Sequence, residues 1–277
     1  MKLKVNRYLK LLFLVSIVFI LAGCGNLNEP INSQSTGIWD KFILYPLSQF
    51  IIWLSQILAN NYALGIISFT ILIRLLLMPL TIMQMKSQNK MMELQPEIEA
   101  IKEKYPGRDK YSVEQVQKEQ QALFEEKGVN QFAGCLPTLV QFPIMMALYQ
   151  VISRTEVLKE GHFLWTSLGK PDPFFILPIL AAVFTFLTTY LNFKANPQKN
   201  PTSKIMMISM PIMIFFISFG LPSAISLYWT LSHLITVVTI LIFNNPYKRL
   251  AQREAEIAEE KAKQKRLRKA LKKIKKS

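Results

Sequence analysis

Long uncharged runs dominate this chain. No Asp, Glu, Lys or Arg occurs from Phe42 to Ile73, Leu75 to Met85, Gly128 to Ser153, Pro173 to Phe193, or Ile205 to Tyr247. A helix that spans a bilayer needs about 20 mostly apolar residues, so most of these runs are long enough to cross one. Five spans are predicted, at 61–83, 134–154, 174–193, 205–219 and 224–243. The last run must hold two of them, with Gly220-Leu221-Pro222-Ser223 as the break, because Gly and Pro interrupt a helix there. The expected fold is an all-α polytopic membrane protein.

The polar blocks between the spans carry their own patterns. Ile38–Leu58 has the aromatics Trp39, Tyr45 and Trp53 and the wet positions Asp40, Lys41, Ser48, Gln49 and Gln56. It reads as an amphipathic helix lying on the outer leaflet, with a sixth span as the alternative. Segment 84–133 mixes Glu93, Glu97, Glu99, Lys102, Glu103 and Lys104 with Met91, Met92, Leu94, Ile98 and Ile101. Pro96 starts a helical turn, Tyr105-Pro106-Gly107 ends it, and Ser112 with Gln115 forms a capping-box pattern for a second helix that Gly128 stops. The prediction is a helical hairpin, and a solvated spacer is the alternative.

The N-terminal residues read as an export signal. Lys2, Lys4, Arg7 and Lys10 precede the apolar stretch Leu11–Leu21, and Leu21-Ala22-Gly23-Cys24 resembles a bacterial lipoprotein lipobox. That resemblance implies removal of 1–23, lipid on the sulfur of Cys24, and a polar spacer over Asn26–Gly37. Charge then sets the orientation. With residue 24 outside, the inner segments 84–133, 194–204 and 244–277 hold 24 Lys/Arg, against four in the outer segments. Positive charge stays inside, so the mature N-terminus is expected outside and the C-terminus in the cytoplasm. The plan is a spacer and interfacial helix at 24–58, a five-helix core at 59–243, and a basic tail at 244–277.

Composition closes off other classes. The chain has 277 residues, 51% hydrophobic and 18% charged, with net charge +15 and two cysteines. That excludes collagen-like, disulfide-stapled and disordered chains. No GxxxxGK[ST] phosphate loop occurs, and His162 and His233 are too few and scattered for a metal site, so no cofactor, metal or hydrolytic role is expected. Cys135 reads as a packing residue. The basic tail has three roles open to it: contact with anionic lipid, contact with RNA phosphates including those of a ribosome, or a positive-inside anchor.

One charge breaks the pattern. Arg74 lies midway along the first predicted span, where an Arg costs about 2.5–3.5 kcal/mol on an insertion scale. Such a residue must face a polar or wet interior, and no acidic residue in any span neutralises it. Thr70 and Thr81 share its helix face. Thr138 and Gln141 in the second span, Thr185, Thr188 and Thr189 in the third, and Ser226, Trp229, Ser232, His233 and Thr236 in the fifth supply polar stripes. Together they suggest a hydrated groove with its charge left for a visitor. Met206, Met207, Met210 and Met213 make the fourth span an adaptable apolar wall or a lipid face, with Pro211 as a kink. A solute transporter or a lipid scramblase would also use a lone intramembrane Arg, although the spans show no internal repeat.

NYALGIISFTILIRLLLMPLTIMQMKSQNK (61–90) with LQPEIEAIKEKYPG (94–107), GCLPTLVQFPIMMALYQV (134–151) and LPSAISLYWTLSHL (221–234) resemble signature segments of YidC/Oxa/Alb-type membrane protein insertases. With the lipobox, the likeness is to the Gram-positive lipoprotein branch. It implies a five-helix insertase core that opens to cytoplasm and lipid and is closed outside. It also implies a groove arginine at Arg74, a glutamine at Gln141, and a substrate-contacting aromatic at Trp229 beside Tyr228. The implied partners are nascent membrane proteins and the Sec translocon, with the chain acting as a monomer. His233 and Thr239 depart from the Asn and Gln of many relatives.

Overall fold

The computed structural model describes residues 29–130, 136–195 and 201–274, without the side chains of 136–138, 201–203, 260 and 268–274. Cys24, the rest of the signal segment and Cys135 lie outside the described residues. Among the described residues the structure is mostly helical, with one small hairpin. A π-helical turn, Asp40–Leu44, leads into α1, Tyr45–Ile57. Then follow α2 (Tyr62–Glu93), α3 (Gln95–Lys104), α4 (Lys110–Glu126), α5 (Leu136–Arg154) and the single turn α6 (Glu156–Lys159). Strands β1 (His162–Phe163) and β2 (Thr166–Ser167) pair antiparallel, His162 opposite Ser167 and Phe163 opposite Thr166. The chain closes with α7 (Ile176–Ala195), α8 (Pro201–Phe219), α9 (Ser223–Phe243) and α10 (Pro246–Ile274).

Among the described residues, three helices are long and apolar enough to cross a membrane: α2, α7, and the helix that begins at Ser223. Leu75 and Leu76 on α2, and Ile205, Met206 and Phe216 on the shorter apolar helix α8, stand exposed with no soluble-protein reason to do so. Met210 and Met213 are exposed beside them, which places Met206, Met210 and Met213 of α8 on the outward face, with Met207 half-buried. This is a membrane protein.

The packing has a heavy side and a light side. Helix α9 lies along α7 and α2, α7 lies along α8, and α1 lies along α2, whereas α5 meets α2 and α9 only sparingly. The shared core runs through Leu44, Ile51, Ile66, Leu148, Ile152, Ile225 and Tyr228. A close approach seats α1. A Cβ on Gly65 would overlap the Ser55 hydroxyl and stand 2.9 Å from the Ile51 carbonyl oxygen.

Several boundaries differ from the sequence reading. Helix α2 runs ten residues past the predicted end of its span, to Glu93. Its 32 residues extend about 48 Å at 1.5 Å each, well beyond a hydrocarbon core of about 30 Å. Nothing between Gln84 and Lys90 breaks a helix, and Gln84 and Asn89 are buried there. Helix α4 opens at Asp109, whose carboxylate accepts from the Ser112 N–H at 3.1 Å and the Ser112 hydroxyl at 2.7 Å; Ser112 is the capped residue, not the cap. Gly128 does end α4, with φ +62°, a conformation glycine adopts freely. Ahead of α1 the expected interface aromatic Trp39 is buried, and on α1 Ser48 is buried rather than wet and turns its hydroxyl to the Tyr45 carbonyl.

The end of the predicted spacer is fastened down. Ile31 is buried, and its N–H donates to the Arg154 carbonyl at 3.2 Å. The Arg154 guanidinium reaches back to the Glu29 carbonyl at 2.7 Å, to Gln150, and to both carboxylate oxygens of Asp40. The Arg154 side chain is 3% exposed, so this ion pair joins the start of α1 to the end of α5 inside the protein. At the same end, the exposed backbone N–H groups of α9 are met by a loop. Ser223 donates to the Lys170 carbonyl at 2.7 Å and Ala224 to the Leu168 carbonyl at 3.2 Å. Asp172 caps α7 through the N–H groups of Phe174 and Leu177 and holds the Trp165 indole at 2.9 Å.

Candidate functional site

The site grows from the one arginine that its own helix cannot satisfy. The guanidinium carries only donors and needs acceptors, and a side chain on another helix supplies one. Arg74 Nη2 donates to Gln141 Oε1 on α5 at 3.1 Å, and Gln141 Nε2 donates to the Tyr228 hydroxyl on α9 at 2.7 Å. The order is forced. A guanidinium can only donate, so Gln141 must turn its oxygen to Arg74 and its amide nitrogen to Tyr228. The Tyr228 ring also lies 6.0 Å from the guanidinium carbon, within reach of a cation–π attraction.

Burial grades the three members. Tyr228 is buried, whereas Arg74 and Gln141 are half-buried, because α5 approaches α2 and α9 so lightly. The charge is therefore held but not enclosed. Arg74 Nε, Ser232 Oγ and His233 Nδ1 are buried with no hydrogen-bond partner among the described residues. Ser232 stands four residues after Tyr228, one turn further along the same face of α9. Buried polar atoms are paired in the great majority of structures, so these three, one of them on the Arg74 guanidinium itself, are exceptions.

The other predicted groove residues behave differently. Thr70 is fully buried and gives its hydroxyl to the Ile66 carbonyl at 2.7 Å, and Thr81 gives its own to Leu77. Thr185 and Thr188 are buried on α7 and donate to the Ala181 and Phe184 carbonyls; Thr236 on α9 donates to Ser232. Each hydroxyl proton is satisfied by its own helix one turn back, a local bond that keeps donors off the neighbouring surfaces. Thr138 lies in α5, but its side chain is outside the described residues. Trp229 is buried at 6% exposure in the core, and Tyr228 is the aromatic that completes the contact with Gln141. The sequence reading set Arg74 and Gln141 in one interior, with the charge available to a visitor or pinned by interhelical hydrogen bonds; the structure bonds the two.

A second polar cluster joins α2 to α10 beyond the apolar layer. Asn89 Nδ2 donates to Asn244 Oδ1 at 2.9 Å, and Arg249 donates to the same oxygen and to Glu93 at 2.7 Å. Helices α3 and α4 form a third unit around Leu94, Ile98 and Phe124. Lys104 and Tyr105 both donate to Glu119 at 2.6 Å. The hydrogen bond to Glu119 pushes the Lys104 ammonium pKa up, and the same bond holds the Glu119 carboxyl below its usual range. The Ser112 hydroxyl holds Asp109 low as well. Among the described residues, no group of His, Cys, Asp and Glu is placed to hold a metal.

The family model for the 60Kd inner membrane protein matches residues 53–252, most of the chain and every helix of the Arg74 contact. The chain belongs to this family. The resemblance read from the signature segments is thereby confirmed. Within the 60Kd inner membrane protein family, it is similar to "Membrane protein insertase YidC" of Enterococcus faecalis, 47% identical over 267 residues and covering 96% of each chain. It is similar also to "Membrane protein insertase YidC 1" of Listeria monocytogenes, 43% identical over 95% of this chain and 94% of that one. "Membrane protein insertase MisCA" of Bacillus subtilis is 43% identical over 85% of this chain and 90% of that one. A solved structure, "Active YidC insertase crystal structure with the first transmembrane domain resolved", superposes with TM-score 0.56 at 30% identity over 75% of this chain. This chain spans 47% of the length of that solved chain.

Proposed function

We propose that this chain guides the hydrophobic segments and short hydrophilic tails of nascent membrane proteins into the plasma membrane, alone or beside the Sec translocon. The relatives' names support the class of activity. The observation that carries the mechanism is Arg74, half-buried in an apolar helix, tied to Gln141 and Tyr228, and facing no acidic residue within the spans. In this reading five helices span the bilayer: α2, α5, α7, α8 and α9. The N-terminus lies outside, anchored by lipid on Cys24, and α3–α4 and the basic α10 lie in the cytoplasm. The α10 cations are available to a ribosome, and one copy suffices.

The energetics divide the task. An apolar segment enters lipid downhill, at about −0.3 to −0.6 kcal/mol for each strongly apolar residue. The obstacle is the polar tail. A groove wetted around Arg74 shortens the hydrocarbon path, and the guanidinium attracts acidic groups on the tail in a medium less screening than water. Tyr228, Ser232, Thr70, Thr138, Thr185, Thr188 and Trp229 shape the walls. No covalent step is involved and no nucleotide is consumed by this chain.

The test is reconstitution of the purified full chain in liposomes with single-span clients bearing acidic or neutral tails, scored by protection of the tail from added protease. Arg74→Ala is expected to depress acidic-tailed clients most, and Arg74→Lys to retain activity that Arg74→Gln loses. Equal loss for acidic and neutral tails would remove charge attraction from the mechanism.

A further inference from the structure

Where the apolar part of α9 ends, the far end of α2 and the first turns of α10 line an open cavity of about 570 Å3. That is the size of a small-molecule site. Lys86, Lys248, Arg249 and Arg253 line it together with Glu93 and Glu256. Arg249 is committed to Glu93 and Asn244. Lys86, Lys248 and Arg253 form no ion pair among the described residues. The wall therefore offers three uncommitted cations against one uncommitted carboxylate, Glu256.

Two further features narrow the guest. Asn244, which lines the cavity, is 8% exposed; its Oδ1 accepts from Asn89 and Arg249, which fixes the amide orientation, and its Nδ2 is buried with no partner among the described residues. An orphan donor beside uncommitted cations suits an anion. The same wall carries Ile242 and Phe243, 66% and 50% exposed. An inorganic phosphate or an RNA backbone would use the cations and leave these two in water. A lipid uses both. The location agrees: the uncharged run ends at Tyr247, the first cation after it is Lys248, and Lys194 sits 4.2 Å over the Tyr247 ring, an aromatic at the membrane–water boundary.

We propose that this cavity binds the phosphate of an anionic membrane lipid, held by Lys86, Lys248, Arg253 and the Asn244 amide, with the acyl chains leaving along Ile242 and Phe243. Basic pockets between helices at the cytoplasmic side are suited to such headgroups. The proposal rests on the membrane placement given above but not on insertion, because binding is read without any client protein. Loss of lipid binding leaves the insertion reading standing, and failed insertion leaves lipid binding measurable.

The experiment places the full chain in phosphatidylcholine nanodiscs containing a photoactivatable phosphatidylglycerol or a photoactivatable phosphatidylcholine, then maps labelled peptides by mass spectrometry. The glycerol lipid is expected to label the segments around Lys86 and 242–253, and the choline lipid to leave them bare. Lys86→Gln with Lys248→Gln and Arg253→Gln should lower that labelling about a hundredfold, three surface cations each contributing a few-fold to attraction. Asn244→Asp preserves both acceptor contacts and replaces the orphan donor by a carboxylate oxygen, so it tests the site in a chain expected to fold; it should also suppress labelling. Equal labelling by both lipids, labelling that survives both variants, or displacement by inorganic phosphate or a short RNA would each overturn the proposal.

Discussion

At the scale of single residues, Arg74 was legible because charge is so costly in an apolar run that one arginine among uncharged neighbours draws the eye. Gln141 was legible for a weaker version of the same reason. Tyr228, the third member, was named only through the family likeness, beside Trp229. Successive residues on a helix point about 100° apart, so Tyr228 and Trp229 face different neighbours, and only the rotation of α9 against α5 decides which one meets Gln141. The threonine stripes were legible as polar positions but their bonds were not, because a hydroxyl in an apolar helix closes on its own i−4 carbonyl, as Thr70, Thr185 and Thr188 do. The chain of bonds makes a graded prediction. Tyr228→Phe removes one hydrogen bond, worth about 0.5–1.5 kcal/mol, and should lower insertion by roughly two- to tenfold. Gln141→Leu strips both Arg74 Nη2 and the Tyr228 hydroxyl of their partner and should cost more. Insertion rates of the two variants in the same liposomes check the order, and a milder Gln141→Leu would mean that Arg74 and Tyr228 rejoin directly.

At the scale of elements, the helix cores followed from apolar runs, and the joints between helices did not. Gly65 shows why: its role depends on Ser55 and Ile51 of another helix, which no local pattern announces. Gly65→Ala should push α1 off α2 and lower thermal stability in detergent by about 1–3 kcal/mol, the usual range for overpacking. Ser55→Gly should restore part of it, since the Ile51 carbonyl remains in the way. The α3–α4 unit responds to pH in a direction its contacts set. Asp109 and Glu119 have depressed folded pKa values, so their contributions are complete above the ordinary carboxylate range and fade as pH falls through the depressed values. Lys104 is raised, so its contribution is complete below the ordinary lysine value and fades as pH rises through the raised one. A fluorescence distance between labels on α3 and α4 should hold steady through neutral pH and lengthen at both extremes. Glu119→Gln should blunt both changes, and Asp109→Asn the acidic one alone.

At the scale of the whole molecule, two separate sets of positive charge bear on an acidic client, and they differ in how salt reaches them. Thirteen Lys/Arg lie from Asn244 to the end of the chain, and Lys261, Lys263, Lys265 and Arg266 in α10 are exposed; Arg74 is half-buried between helices. Raising ionic strength from about 0.1 M to about 1 M shortens the screening length from about 10 Å to about 3 Å, which silences exposed charges far more than buried ones. If the tail captures acidic clients at long range and the groove arginine carries them across, salt should slow the capture step and spare the crossing step. Insertion of an acidic-tailed client should therefore fall with salt in the intact chain. With Lys261, Lys263, Lys265 and Arg266 all changed to Gln, it should start lower and fall less. Arg74→Ala should lower the rate at every salt concentration by about the same factor, because its charge acts inside. The measurement is a protease-protection time course at both ionic strengths for the three chains. A salt dependence that disappears with Arg74→Ala would reverse the assignment, making the groove itself open enough to be screened and the tail a bystander to capture.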